Sequence, residues 1–165
     1  MIRRGAGYTT SRLWTAPAIH SGIAAASWPM DTTTRLDREA DAIRYLSCIV
    51  QAGELRPGSL LVAATDRDAE VEKAIAVDGV PHDPPQYSRV GALGPLLRQI
   101  ANDGHPGVLL AVARQGDPRT QGGDLAWHDA FAGTARMAGL TCHGTYVVTP
   151  TGIRRVRPPP LTVAA

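Results

Sequence analysis

The run GVLLAVA at residues 107–113 constrains this chain more than any other stretch. Side chains alternate between the two faces of a strand, so near-continuous hydrophobicity requires both faces to be covered. A central strand sandwiched between helices meets that requirement. A Gly/Pro/Asp turn, an amphipathic helix and a closing β-hairpin follow, so residues 107–156 form one strand-turn-helix-hairpin unit. The rest of the chain has to supply the strands and helices that complete and cover the same sheet.

Upstream, a helical stripe of Leu36, Ala40, Ile43, Leu46, Ser47 and Val50 begins after Thr34. Thr34 with Asp37 three residues on has the spacing of a capping box, and Arg56, Pro57 and Gly58 stop the helix. SLLVAAT (59–65) and VEKAIAVDG (71–79) make an antiparallel hairpin, with Val71, Lys73, Ile75 and Val77 on one face. Three prolines keep residues 80–89 irregular, where His82 and Asp83 are an exposed, solvated pair. Leu93, Leu96, Leu97 and Ile100 stand at helical spacing. Pro95 is tolerable only in a first turn, so this helix is expected to begin near Leu93 or Gly94. The last helix carries Leu125, Trp127, His128, Phe131, Ala135 and Ala138 and ends at Gly139; two strands then flank a Pro150, Thr151, Gly152 turn.

The expected order is α, β, β, α, β, α, β, β in one α/β domain, a mixed, mostly antiparallel sheet flanked by helices over residues 34–157. Residues 1–33, rich in Gly, Ser, Thr, Ala and Pro, are expected to be a flexible arm, with Trp14 and Trp28 as its packing points. Residues 158–165 form a tail. A chain of 165 residues suits one domain with a sizeable core. A formal net charge of +2 implies no strong polyanion partner. Cys48 and Cys142, far apart and without CxxC spacing, fit reduced, structural thiols in the cytoplasm. No stretch approaches the roughly 20 apolar residues of a bilayer span, so no membrane partner is expected.

Chemistry-bearing residues are few. There is no GxSxG elbow, no P-loop, and no GxGxxG after a strand. Cys142 and His143 are adjacent in an extended stretch and so point to opposite faces, which prevents their pairing as nucleophile and base. Asp124, behind Gly122 and Gly123 and before an apolar-periodic run, reads as a helix N-cap. With His128 four residues on, it also forms a possible two-ligand face. Arg154, Arg155 and Arg157 are the one basic cluster. It reads as a solvated edge strand and, in the alternative, as a nucleic-acid contact.

These segments together resemble the JAB/MPN metalloprotease-like domain of the bacterial RadC DNA-repair-protein family. RQGDP (114–118) corresponds to the end of that family's HNHPSGDP motif, and Asp124 with Leu125 to its aspartate and following aliphatic. Phe131, Gly139 and Leu140 fall at the family spacing, and the resemblance covers residues 59–156. It implies a JAB/MPN-like fold with cytidine-deaminase-like layering. It also implies a zinc site in which two strand histidines and the aspartate leave one position for an activated water, with a serine supporting the transition state. In this chain the histidine positions are Ala111 and Ala113, the serine position is Gln121, and only Asp124 survives.

A methyl group offers no lone pair, and one carboxylate cannot hold a catalytic zinc. The expectation is therefore a catalytically inactive RadC/JAB-like domain, without catalytic residues or cofactor, acting as a binding or scaffold module for an unidentified protein partner. The resemblance implies a DNA-repair or mobile-element setting. One alternative is a zinc-dependent hydrolase with a site rebuilt from Asp124, His128 and another of His105, Cys142 or His143. Another is a nucleic-acid-binding protein using Arg154, Arg155 and Arg157.

Overall fold

The computed structural model describes residues 34–81 and 83–161, and the backbone of Ile19–Ile23. Its elements are β1 (Ile19–Ile23), α1 (Glu39–Gln51), β2 (Ser59–Thr65), β3 (Val71–Val77), α2 (Gln86–Asn102), β4 (Gly107–Ala113), α3 (Gly122–Met137), β5 (Thr141–Thr149) and β6 (Gly152–Arg155). The strands form one sheet in the order β1-β3-β2-β4-β5-β6. Only β4 and β5 pair in parallel, joined through α3; every other neighbouring pair is antiparallel.

The apolar run of β4 is buried along its whole length, and strand alternation divides it between two cores. Leu109, Ala111 and Ala113 join Leu61, Ala63, Tyr146 and Val148 beneath Ala42, Tyr45, Leu46 and Ile49 of α1. Val108, Leu110 and Val112 join Leu60 and Val62 on the opposite face, against Leu93, Leu97 and Ile100 of α2 and Trp127, Phe131 and Ala135 of α3. The chain is thus a single α/β domain, a mixed sheet with one helix on one face and two on the other. The β2-β3 hairpin and the closing β5-β6 hairpin stand where the sequence puts them.

Several local expectations are corrected. Residues 19–23 add an edge strand, with Ile19 opposite Val77, inside the stretch read as an arm. Trp14 and Trp28 lie outside the described residues, as does His82. The first helix starts at Glu39 rather than after Thr34, and its N-cap residue, Arg38, makes no side-chain cap. Arg35 is diverted into a β-bridge with Glu70, and its guanidinium takes the Asp37 carboxylate at 2.7 Å, so the capping box does not form. The buried stripe is Ala42, Tyr45, Leu46 and Ile49, and Leu36 enters the core from the preceding bridge.

In β3 a register shift opposite Ala64 and Thr65 breaks the alternation. Val71 therefore packs on the α1 side while Ile75 and Val77 face α2. The second helix runs from Gln86 straight through Pro95. Pro95 lies on the exposed face, so water can solvate the Gly91 carbonyl that loses its helical partner. The third helix is capped from Gln121, which places Asp124 inside the first turn rather than at the N-cap. Gly139, with φ 75°, ends that helix in a conformation few other residues adopt.

Candidate functional site

The sheet's central strand delivers one charged residue into the interior at the point where it ends. The Arg114 N–H donates to the Val148 carbonyl at 3.0 Å, extending the β4-β5 pairing by a residue. Its side chain then turns toward the start of α3. Nε donates to Oδ1 of Asp124 at 2.9 Å and Nη2 to Oδ2 at 2.8 Å, a two-pronged fork. Arg114 is 5% exposed and Asp124 2%. The hydrogen bonds that Arg114 donates to Asp124 push the arginine's pKa above its ordinary value.

The same guanidinium organises the turn between strand and helix. Nη1 donates to the carbonyls of Gln115 (3.0 Å) and Asp117 (2.9 Å), and Nη2 to that of Arg119 (2.7 Å). Gly116 makes the bend with φ 93°, and a Cβ there would stand 3.5 Å from Nη1. Asp124 Oδ2 also accepts the Gln121 N–H at 2.8 Å, so the carboxylate holds the helix start and neutralises the arginine at once. Both of its oxygens are engaged. A metal at Asp124 would have to displace a buried guanidinium and leave that cation unpaired.

The pair borders a cleft of about 280 Å³ whose walls include Ser59, Val80, Ala113, Gln115, Gln121 and Trp127. Behind Trp127, the guanidinium carbon of buried Arg89 lies 5.5 Å from the indole centroid. Asp83, expected as a free loop carboxylate, accepts a hydrogen bond from Arg89.

The other residues singled out from sequence are dispersed. Ala111 and Ala113, 0% and 4% exposed, belong to the cluster under α1, whereas Asp124 opens a helix packed on the other face. Gln121 is an exposed helix-capping residue. His128 is half-buried with Nδ1 2.9 Å from Thr145 Oγ1, and burial lowers its pKa. His105 bonds Glu72. His143 bonds Thr65 at 3.0 Å, and its pKa is lowered by burial. Cys142 packs against the α2-α3 cluster, where burial pushes the thiol up, away from the thiolate a nucleophile needs. Among the described residues no group of three or more His, Cys, Asp or Glu side chains is placed to hold a metal.

The basic cluster is brought together more closely than its sequence spacing indicates. Arg154, Arg155 and Arg157 share a second cleft, of about 340 Å³, with Arg119, Thr120 and Glu39. Arg119 comes from the turn that Arg114 organises and was not a candidate by sequence. In the sequence Arg114 stands out only through its place in the RQGDP motif. A usable signal was present, since a cation directly after a wholly apolar strand must find an acid, and Asp124 is the next carboxylate that is not in the turn itself. Comparison with protein-family models gives no match, and comparison with curated proteins gives none.

Proposed function

We propose that this chain is a catalytically inactive JAB/MPN-like domain of RadC type that acts as a binding or scaffold module. One observation carries the reading: the buried Arg114–Asp124 fork. In the family register, Asp124 is the ligand aspartate and Arg114 directly follows the second histidine position. The guanidinium gives the carboxylate the positive partner that a metal would give, and it fixes the turn without one. The methyl groups of Ala111 and Ala113 fill the histidine positions with core. The JAB/MPN-like layering is part of the same proposal. The DNA-repair or mobile-element setting, the protein partner and the cytoplasmic location belong to the same proposal.

A rebuilt hydrolase would need Asp124 to give up Arg114, and stranding a buried charge costs about 3–5 kcal/mol. It would also need His128 to leave Thr145. The inactive reading is therefore favoured. Its test is the zinc content of protein equilibrated with zinc and then dialysed, expected to be far below one equivalent. Stoichiometric zinc that disappears in Asp124→Ala would end the proposal.

A further inference from the structure

The cleft at the β6 edge is walled entirely by polar side chains, four guanidinium groups against the single carboxylate of Glu39. Arg119 is paired with Asp117 at 2.8 Å and Arg157 with Glu39 at 2.6 Å. Among the described residues, Arg154 and Arg155 have no carboxylate partner. Like charges gathered this closely repel one another, and an anion between them removes that cost. We propose that this cleft binds phosphate groups, as carried along a nucleic-acid backbone, through Arg119, Arg154, Arg155 and Arg157.

Two features show that the cleft is built rather than accidental. Gly144 has φ 126°, and a Cβ there would stand 3.1 Å from Nε of Arg155, so the bare backbone of β5 gives the guanidinium its seat. Tyr146 stands opposite Arg155 in the β5-β6 register, and its buried hydroxyl has no hydrogen-bond partner among the described residues. Arg155, Glu39 and Arg157, all walls of the cleft, are the charges that act on that hydroxyl. No aromatic or aliphatic side chain lines the cleft, so nothing in it stacks a base or holds a nucleoside. Recognition is of the charged group, independent of sequence. None of this depends on the JAB-like reading, since none of Ala111, Ala113 and Asp124 lines the cleft.

The test uses the full chain and two probes: a fluorescent oligothymidylate lacking a terminal phosphate, and inorganic phosphate followed through backbone amide shifts. Oligothymidylate binding is expected to weaken steeply between about 50 and 200 mM salt. The double variant Arg154→Ala/Arg155→Ala should weaken it about tenfold or more and flatten the salt slope by about 1.4, the share of two phosphate contacts on a single strand. Arg154 is exposed, so Arg154→Ala alone serves if the double variant loses its circular-dichroism signature. If only inorganic phosphate binds, shifting Arg119, Thr120 and residues 154–157 and no longer doing so in the variant, the site stands and its ligand is a small anion. Binding of either probe that the variants leave unchanged, or no binding of either at the lower salt, overturns the proposal.

Discussion

Asp124→Asn removes one charge while keeping shape and volume, and its cost follows from the contacts described above. The wild-type carboxylate accepts from Nε and Nη2 of Arg114 and from the Gln121 N–H. An asparagine retains one carbonyl oxygen for these donors and turns an NH₂ toward the others, where donor meets donor. Arg114 stays charged, because a guanidinium cannot deprotonate at accessible pH. It stays buried too, because its other bonds tie it to three carbonyls of the turn. Breaking a buried pair by removing one partner costs about 3–5 kcal/mol, a large share of the roughly 5–15 kcal/mol that holds a typical domain folded. At about 2–4 °C per kcal/mol for a chain of this size, the melting temperature should drop by roughly 6–20 °C. Urea unfolding of Asp124→Asn, Arg114→Met and the double variant measures it, with coupling expected at about 2–3 kcal/mol. A loss within about 0.5 kcal/mol for Asp124→Asn, the range of an ordinary surface change, would refute the reasoning.

Two further outcomes follow from other buried contacts. Burial lowers the pKa of His128 and His143 below the ordinary 6.5, with Arg155 adding to the effect at His128 and Asp129 and Asp37 opposing it at the two sites respectively. The unfolded chain therefore takes up protons first. This stability is fully present above pH 6.5 and is lost as pH falls through the lowered folded-state values. Urea midpoints measured downward from pH 7.5 should decline less in His128→Asn/His143→Asn than in the wild type, and parallel curves would contradict the assignment. Gly107→Ala should destabilise by about 1–3 kcal/mol, the usual cost of overpacking. The added methyl would stand 2.4 Å from both His143 Nε2 and Thr65 Oγ1, and an unchanged melting temperature would show that these side chains give way freely.

The fold was legible wherever a local pattern decides structure. GVLLAVA announced a central strand because no arrangement with one open face can shelter Val108 and Leu109 together. Gly139 marked a helix end because a positive φ is cheap there and dear elsewhere. What failed depended on partners distant in sequence. Thr34 and Asp37 had the spacing of a capping box, but Arg35 bridges to Glu70 and takes the carboxylate, so the helix starts later. Pro95 looked like a helix start because sequence alone does not say which face will meet water. β1 was missed because IHSGI has weak periodicity and owes its strand to the free edge of β3.

The candidate site was half legible. The resemblance puts metal-ligand positions at Ala111, Ala113 and Asp124, and the first two carry methyl groups. It did not show that the Asp124 carboxylate is already occupied by Arg114. That needed the turn geometry that brings Arg114 back across ten residues to Asp124. The basic cleft was likewise half visible: residues 154–157 cluster along the chain, while Arg119 reaches them only because the turn packs at the start of β6, where Pro118 lies 3.4 Å from a Cβ built on Gly152.

We propose that the Arg114 guanidinium takes at Asp124 the place that the RadC-like reading gives to a metal, and the Arg114 side-chain resonance reports on it directly. In ¹⁵N-labelled protein the Arg114 Nε–H, held by a buried carboxylate, should exchange slowly with solvent and remain unmoved as zinc is added in excess. A Nε–H signal that exchanges like an exposed arginine, or that shifts saturably at one equivalent of zinc, would contradict the account.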